Sequence, residues 1–444
     1  MDIPISLLPS EMQSDHLENC PGCSLLWYCS PSCKEMDLDV HRTECLCYQN
    51  QGDPVLPPSD IRMVLRLVIR WQNKDYCKEF VEDPMWKRQF LELMSHYQEL
   101  KQSGVKFNLT YFHDVVGKTL ELPSDETIFE MYGKMLINCF AIPDEDYTLS
   151  IGTGIYLSSS KIDHSCVPNA VMTYNGTEQF LKALEYIPEP EPNKIFISYI
   201  NTDRPSWIRK DFLRNNYYFD CSCANCKETK RLDRKQTSVH CPNVQCSGFI
   251  GISSNDGKEF FMLPCSVCGL RDDSSEILEE TKTLWTFGIE KIQELRELDK
   301  CKDYENELQL AEETLTILKE TRIHDTNLIY VEVMELAKEA CIELRLWSKA
   351  AHYGNKVWPQ RIVGLLLYEL GKLYLNAMEI ENAREIFRKA STILGTYHDK
   401  NDFIFKQQQI LQQYCETFDS NLQLSLENAA PTPCTPDHKS LKSH

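Results

Sequence analysis

The pattern of hydrophobic and polar positions divides the chain into a mixed first part and a helical second part. Between residues 61 and 120 apolar side chains recur mainly at helical spacing, as in FLELMSHYQEL, and TIFEMYGKMLINCFAI predicts a further helix. Residues 148–200 instead predict short strands and turns, with an Asn-Gly pair marking a hairpin. From residue 275 to about 418 the spacing is almost wholly helical. The pattern therefore predicts an α+β part followed by an all-α part.

The helical part contains an internal repeat. One copy reads Leu370-Gly371-x2-Tyr374 followed by Ala383-x3-Phe387, the small/large pattern of a tetratricopeptide-type helical hairpin. A related copy lies 34 residues earlier, with Leu336-Ala337-x2-Ala340 and Tyr353 at the matching positions. This predicts a repeat-like superhelix, and a generic helical bundle is the alternative. Residues 421–444 have the composition of a disordered tail.

Composition and charge exclude several classes of protein. The chain is 42% hydrophobic and 25% charged, as globular proteins are, and no run approaches the roughly 18 apolar residues of a membrane helix. The N-terminus MDIPISLLPS has neither a basic segment nor a long apolar one, so we expect no targeting peptide and a location in cytoplasm and nucleus. The net charge of −19 argues against strong general nucleic-acid binding and favours a cationic partner, with solubility as the alternative explanation.

The cysteines point to metal binding. Twenty are many for an intracellular chain, where clustered thiols hold metal more often than they form disulfides. The three clusters are Cys20, Cys23, Cys29, Cys33, His41 and Cys45; then Cys221, Cys223 and Cys226; and then Cys241, Cys246, Cys265 and Cys268. Zinc takes four ligands in a tetrahedron, so the last cluster is a self-sufficient, zinc-ribbon-like site, with unpaired structural thiols as the alternative. The second cluster needs a fourth ligand, and the six residues of the first cannot fill two sites.

The segment KIDHSCVPNA places His164 two positions before Cys166. A nucleophilic cysteine needs an imidazole that reaches its sulfur from a fixed geometry, and the two residues usually lie far apart in sequence. We therefore expect this pair not to be a thiol nucleophile.

The order of DHSCVPNA, FISYI and YYFDCSCANC resembles the SET domain of protein-lysine methyltransferases. The first cysteine cluster, with Trp27-Tyr28 before Cys29, resembles the MYND zinc finger. With the helical repeats that follow, residues 20–420 look like a member of the SET and MYND domain-containing (SMYD) family. This resemblance implies an α+β multidomain fold in which a MYND finger is inserted in a β-rich SET domain with a post-SET zinc site, followed by an all-α tetratricopeptide-like domain. The expected divisions are 1–19 (a remnant N-terminal segment), 20–47 (MYND finger), 48–220 (SET domain with a helical insert), 221–275 (post-SET and zinc-ribbon-like region), 276–420 (helical domain) and 421–444 (tail).

The resemblance also implies how the zinc ligands are shared. Cys20, Cys23, His41 and Cys45 would form one complete MYND site. Cys29 and Cys33 would belong to a second site whose first pair should lie upstream, where only Asp15 or His16 could substitute. Cys166 would join Cys221, Cys223 and Cys226 on one zinc ion.

By the same resemblance, the site transfers a methyl group from S-adenosylmethionine to a lysine. Tyr199 and Tyr217 would be catalytic, and the cofactor would contact Asn138, Ser160, Asp163, His164, Tyr199 and Phe219. Tyr156 is a further residue expected to line the lysine channel. The family has asparagine where this chain has Asp163, which can accept a hydrogen bond from the cofactor's ammonium but cannot donate one to its carboxylate.

Two functional hypotheses follow. The first is a protein-lysine N-methyltransferase acting on histone or non-histone proteins. The second is a catalytically weak or inactive adaptor, whose finger takes proline-containing peptides and whose helical domain takes a chaperone. Residues 1–19 contain no glycine, lysine or arginine, whereas the family normally has a glycine-flanked basic loop there that grips the cofactor. We therefore expect an N-terminally shortened member, which favours the second hypothesis for this chain.

Overall fold

The computed structural model divides the protein into two compact units. The residues it describes are 17–51, 54–73, 84–144, 150–202, 204–227, 230–254, 259–271, 275–357, 364–397 and 403–429. The first unit extends to Phe287 and includes Thr321–Tyr330, and the second comprises Gly288–Glu320 and the chain from Val331. Within the described ranges every strand lies in the first unit, and the second consists of helices. The predicted mixture of α and β structure, with a helical C-terminal part, is confirmed.

The first unit begins with a small hairpin and a group of helices. Their bounds are β1 Glu18–Asn19, β2 Trp27–Tyr28, α1 Pro31–Gln49, α2 Ser59–Gln72, α3 Tyr97–Gln102, α4 Leu109–Asp114 and α5 Asp125–Asn138. Helix α1 starts where Ser30 accepts a hydrogen bond from the backbone N–H of Cys33 and proline occupies the first helical position. In α2 the residues Ile61, Val64, Leu65 and Val68 recur at helical spacing, and all four are buried in the core between α1, α2 and α5.

Two of the predicted helical segments are shorter than the sequence pattern suggests. FLELMSHYQEL contains only a 3₁₀ turn, Phe90–Glu92, and the start of α3, because His96 takes a left-handed conformation at φ 47° that interrupts a helix. TIFEMYGKMLINCFAI is helical to Asn138, after which Cys139–Pro143 forms a strand. Pairing with a neighbouring strand outweighs helical propensity there.

Short strands and two zinc-ligand clusters complete the first unit. The elements are β3 Cys139–Pro143, β4 Ser150–Ile155, β5 Asp163–His164, β6 Ala170–Asn175, β7 Glu178–Ala183, β8 Phe196–Ile197, α6 Ser206–Tyr217, α7 Ala224–Lys227, α8 Lys230–Gln236, β9 Val239–His240, β10 Phe249–Ile250, β11 Ile252–Ser254 and β12 Phe260–Met262. The pairs β3/β4, β6/β7, β9/β10 and β11/β12 are antiparallel, and β5/β8 is parallel. The predicted Asn-Gly hairpin is confirmed as β6/β7, with Gly176 at φ 57°.

The helices after residue 275 are long and consecutive. They are α9 Ser275–Lys300, α10 Tyr304–Lys319, α11 Leu328–Glu343, α12 Trp347–Val357, α13 Gly364–Asn376, α14 Ile380–Tyr397 and α15 Phe403–Ala429. In the α13/α14 pair a Cβ at Gly371 would lie 2.5 Å from the ring of Phe387, so the small residue of the repeat motif makes room for the large one. Helix α15 continues past the predicted domain end at 420 to Ala429, and the rest of the predicted tail lies outside the described residues. No helix in the described part of the chain combines the length and apolarity needed to cross a membrane.

Candidate active site and zinc centres

The first candidate zinc site lies between the β1/β2 turn and α1. The turn, closed by a 2.8 Å hydrogen bond from Ser24 N–H to Cys20 O, brings Cys20 and Cys23 together, and α1 places His41 and Cys45 one turn apart. Sγ of Cys20 lies 3.7 Å from Sγ of Cys45, and Sγ of Cys23 lies 3.7 Å from Nε2 of His41. Ligands at normal zinc distances are about 3.5–3.8 Å apart in a tetrahedron, so these four residues fit one zinc ion.

A buried carboxylate orients the histidine of this site. Glu44 is fully buried, and its oxygens lie 2.9 Å from Nδ1 of His41 and accept hydrogen bonds from Tyr48, Arg62 and Arg66. Although burial opposes its ionisation, the bonds from His41 and Arg62 lower the pKa of Glu44 to about 2. The ionised carboxylate holds the proton of His41 on Nδ1, which leaves the Nε2 lone pair directed at the zinc ligands.

Cys29 and Cys33 lie together at the exposed N-terminal end of α1. Their sulfurs are 3.3 Å apart. Within the described residues no third histidine, cysteine or carboxylate ligand joins them, and Asp15 and His16 lie outside those residues. The pair can therefore supply two ligands of a site.

The second site joins two segments that are far apart in sequence. Cys166 follows β5, and Cys221, Cys223 and Cys226 surround the start of α7. The sulfurs of Cys166 and Cys226 are 3.6 Å apart, and the four sulfurs all lie within 4.8 Å of one another. Hydrogen bonding from Cys166 lowers the pKa of Cys226 to about 5 despite burial. The structure thus brings Cys166 to the other three cysteines, as the resemblance implied, in a geometry that fits zinc.

The third site is self-contained between the ends of β9, β10 and β12. Cys241 pairs with Cys268 and Cys246 with Cys265, each at 3.7 Å between sulfurs. A Cβ at Gly248 would lie 2.6 Å from Sγ of Cys265, so only glycine fits beside the ligands. These four residues also fit one zinc ion.

The pairing of two chain segments positions Tyr199. Strand β5 runs parallel to β8, and Ser165 N–H donates to Ile197 O at 2.9 Å, which fixes the chain just before Tyr199. The backbone N–H of Tyr199 donates to Nδ1 of His164 at 3.0 Å, and its hydroxyl donates to the carbonyl of Ile162 at 2.5 Å. The side chain and backbone of Tyr199 are therefore both held by the segment before Cys166.

Aromatic rings surround this tyrosine. Helix α6 ends at Tyr217 because Tyr218 takes a left-handed conformation at φ 60°. The chain then leads Phe219 back toward the β5/β8 pair. The ring of Tyr199 lies 5.2 Å from that of Tyr217 and 6.5 Å from that of Phe219, and the ring of His164 lies 6.0 Å from Phe219. The two predicted catalytic tyrosines and Phe219 thus form one cluster beside the second zinc site.

The titratable groups of this cluster are neutral at pH 7. Burial, together with Asp163 and Tyr217, raises the pKa of Tyr199 above its ordinary value, and Arg88 opposes the shift. Burial, with a contribution from Arg209, lowers the pKa of His164 to about 4. The cluster therefore offers hydrogen bonds and aromatic surface, and neither group is a base at neutral pH.

His164 and Cys166 are close in space but are not arranged as a nucleophile pair. Nε2 of His164 lies 3.3 Å from Sγ of Cys166. Cys166 is buried and shares its surroundings with three other thiols, which is the setting of a metal ligand.

The other predicted cofactor residues have internal partners. The Asn138 amide donates to the carbonyls of Met94 and Lys134, both at 2.8 Å, and the Ser160 hydroxyl donates to Leu157 O at 2.5 Å. Asp163 is exposed. Both ring nitrogens of His164 face groups of the protein itself, which leaves its backbone as the part able to contact a ligand.

Tyr156, also expected near the lysine, packs against other partners. Its ring contacts Phe140 and Tyr174, and its hydroxyl donates to Thr177 O at 2.7 Å.

Comparison with known proteins gives one family model and several similar proteins. A family model described as the MYND finger matches residues 11–45. The chain is 23% identical over 427 residues to Histone-lysine N-methyltransferase SMYD3 of Mus musculus, covering 93% of this chain and 87% of that protein. It is 24% identical over 403 residues to N-lysine methyltransferase SMYD2-A of Danio rerio, covering 88% of this chain and 83% of that protein. The chain is thus similar to SMYD proteins along most of its length. These relatives are named as lysine methyltransferases, which is the enzyme class that the sequence resemblance implies.

Three charged residues of the zinc and candidate active sites were missed by sequence reasoning. Glu44 lies one helical turn from the zinc ligand His41, a spacing that could have revealed it. Arg88 donates a 3.3 Å hydrogen bond to the Ser160 hydroxyl, and Arg209 lies against the second zinc cluster. Neither arginine belongs to a motif, so only the fold reveals their positions.

Proposed function

We propose that this chain is an S-adenosylmethionine-dependent protein-lysine N-methyltransferase, with a SET-type knot formed where β5 and β8 pair. The observation that carries the proposal is the placement of Tyr199, which is fixed by His164 and Ile162 and walled by Tyr217 and Phe219. Such an arrangement suits a lysine side chain that must reach a reactive methyl group in one orientation.

S-adenosylmethionine would supply an electrophilic methyl group on a sulfonium. Its amino-acid end is a zwitterion, and the charged groups acting on Tyr199 have opposite signs, namely Asp163 and Arg88. Asp163 is suited to the ammonium and Arg88, which already contacts Ser160, to the carboxylate. Phe219 and the backbone of His164 would cover the cofactor, with Asn138 nearby. The donor set therefore fits the cofactor.

The tyrosines would bind and orient the lysine amine. Because its pKa is raised, the Tyr199 phenol stays protonated at neutral pH and acts through hydrogen bonding rather than as a base. The rings of Tyr199 and Tyr217 exclude water from the stem of the lysine, which favours the neutral amine and a single direction of approach. The lysine proton would leave to solvent.

The charge of the chain and its similarity to lysine methyltransferases support the proposed substrate class. A net charge of −19 suits a basic, lysine-containing segment of a histone or non-histone protein, and such substrates occur in cytoplasm and nucleus.

Calorimetric titration with S-adenosylmethionine tests the proposal. We expect saturable binding to one site, weakened by Asp163→Lys. No heat at millimolar cofactor, in protein that retains its zinc, would contradict the enzyme proposal for this chain.

An adaptor function is the second candidate, and one observation favours it. Trp27 is 59% exposed and Met36 76% exposed on the MYND finger. Exposed apolar side chains of this size are typical of peptide contacts, and a proline-containing peptide would stack on the indole. A chaperone bound by the helical domain is the other proposed partner. Titration with proline-containing peptides should give binding that Trp27→Ala removes, and equal binding by the variant would contradict the peptide site.

A further inference from the structure

Arg209 is a buried cation that touches the second zinc cluster. It lies in the first turn of α6 and is 1% exposed. Its Nη2 is 3.9 Å from Sγ of Cys226, and its Nη1 donates to the carbonyls of Thr202, at 3.5 Å, and Arg204. The guanidinium therefore bridges the start of α6 and the metal ligands.

One donor of this guanidinium has no acceptor among the described residues. Nε of Arg209 is buried and makes no hydrogen bond to any of them. A buried guanidinium whose donors are not all satisfied is costly, and Nη2 of the same group faces the sulfur of Cys226. Thiolate sulfur accepts hydrogen bonds far better than a thiol does, so the contact from Nη2 strengthens when Cys226 is a metal-bound thiolate.

The charge of the zinc site also favours a cation beside it. Zinc(II) with four thiolates carries a net charge of −2, and Cys166, Cys221 and Cys226 are buried. A buried net charge is unfavourable unless an opposite charge lies nearby. Arg209 supplies that charge in contact with a ligand sulfur.

We propose that Arg209 is a positioning residue that balances the charge of the Cys166/Cys221/Cys223/Cys226 zinc site and so holds the metal in place. Because Arg209 and Tyr217 lie on the same helix, α6, the same contact would tie the helix that leads to Phe219 to the zinc. The proposal concerns metal retention and does not depend on methyltransferase activity.

Site-resolved alkylation tests the proposal. The full chain, loaded with zinc, is treated with a chelator and N-ethylmaleimide, and mass spectrometry follows modification of Cys221, Cys223 and Cys226. The cluster of Cys241, Cys246, Cys265 and Cys268 is the internal reference in every sample. The variants are Arg209→Gln, which keeps polar donors for the carbonyls but removes the charge, and Arg209→Lys, which keeps the charge. Arg214→Gln, on the exposed side of the same helix in an ion pair with Asp220, is the matched control.

Arg209→Gln should expose the three cysteines about 10-fold faster or more, the usual loss when a residue supporting a metal ligand is removed, with the reference cluster unchanged. The cysteines of Arg209→Lys and Arg214→Gln should be alkylated at rates within about threefold of the rate in the unsubstituted protein, a smaller change than the one expected for Arg209→Gln. Protection retained in Arg209→Gln, or lost equally in Arg209→Lys, would overturn the proposal. If Arg209→Gln does not fold, its reference cluster reacts as well, and Arg209→Lys then decides: protection supports the proposal, and selective loss contradicts it.

Discussion

The backbone N–H of Tyr199 donates a hydrogen bond to Nδ1 of His164 over 3.0 Å. Nε2 of the same imidazole lies 3.3 Å from Sγ of Cys166, which belongs to the second zinc cluster. His164 thus links the end of β8 to a metal ligand. Loss of the zinc ion should therefore weaken the contacts that hold Tyr199 in place.

Cys223→Ser tests the cross-segment zinc site. Removing one of four thiolates should release about one equivalent of zinc, because a three-thiolate site binds the ion much more weakly. Atomic absorption measures the metal content. Cys301→Ser is the control, since Cys301 is exposed and belongs to none of the three clusters. An unchanged zinc content in Cys223→Ser would contradict the assignment.

Glu44→Gln tests the support of the MYND histidine. The amide keeps the shape of the carboxylate but loses the charge that holds His41 in the ligating tautomer, so zinc affinity at Cys20, Cys23, His41 and Cys45 should fall about 10- to 100-fold. Chelator competition measures it. Glu35→Gln, at an exposed position of the same helix, should have no effect. Equal affinity in the two variants would show that Glu44 is only a structural ion pair.

Local patterns revealed much of the fold. The apolar spacing of α2, the Asn-Gly turn of β6/β7 and the long helices after residue 275 were all predictable, because each depends on short-range sequence features. The strand Cys139–Pro143 was not, since it exists only by pairing with residues 150–155. The unit boundary after Phe287 falls inside α9, where no change in helical pattern marks it.

Motif spacing revealed the cysteine clusters, but their supporting charges required the fold. The third site could be read directly, because all four ligands lie within 28 residues. The link from Cys166 to Cys226 came from family resemblance, since 60 residues separate them and spacing alone gives no partner. Arg88 contacts Ser160, which is distant in sequence. Arg209 contacts Cys226 but belongs to no motif. A single sequence does not disclose either contact.

Arg88→Gln tests the charge pair proposed for the cofactor. The unsubstituted protein should bind S-adenosylhomocysteine more tightly than 5′-methylthioadenosine, which lacks the amino-acid end. Loss of the guanidinium should remove most of that preference, about 10-fold in Kd or more for a charge-assisted pair, and leave 5′-methylthioadenosine unaffected. Calorimetry measures both ligands. A preference that survives the substitution would exclude Arg88 as the carboxylate partner.

Glu307→Gln tests a pH effect in the helical unit. Glu307 is 1% exposed, and neither of its carboxylate oxygens has a hydrogen-bond partner in the part of the chain that the structure describes. Burial, together with Asp299 and Glu339, raises its pKa to about 7. An unfolded glutamate titrates near 4.5, so the folded state binds the proton more tightly. The stability from Glu307 is therefore fully present below pH 4.5 and is lost as the pH rises through 7.

The neutral glutamine should raise the melting temperature by about 3 °C or more at pH 8, and the gain should shrink toward pH 5. Circular dichroism follows the melting. Glu312→Gln, on the same helix, should not stabilise at pH 8, because Lys349 and Tyr353 hydrogen-bond to Glu312 and lower its pKa. A pH-independent gain in Glu307→Gln would contradict the account.

The most direct test of the central claim is a methyl-transfer assay with labelled S-adenosylmethionine, using core histones and a lysine-peptide library as acceptors. The assay compares Tyr199→Phe with the unsubstituted protein. We expect transfer by the unsubstituted protein and a loss of about 100-fold or more in Tyr199→Phe, with zinc content unchanged, because the phenol hydroxyl orients the amine. Tyr186→Phe, at an 88% exposed position, should transfer normally. Full activity in Tyr199→Phe would contradict the claim that methyl transfer takes place beside the paired strands β5 and β8.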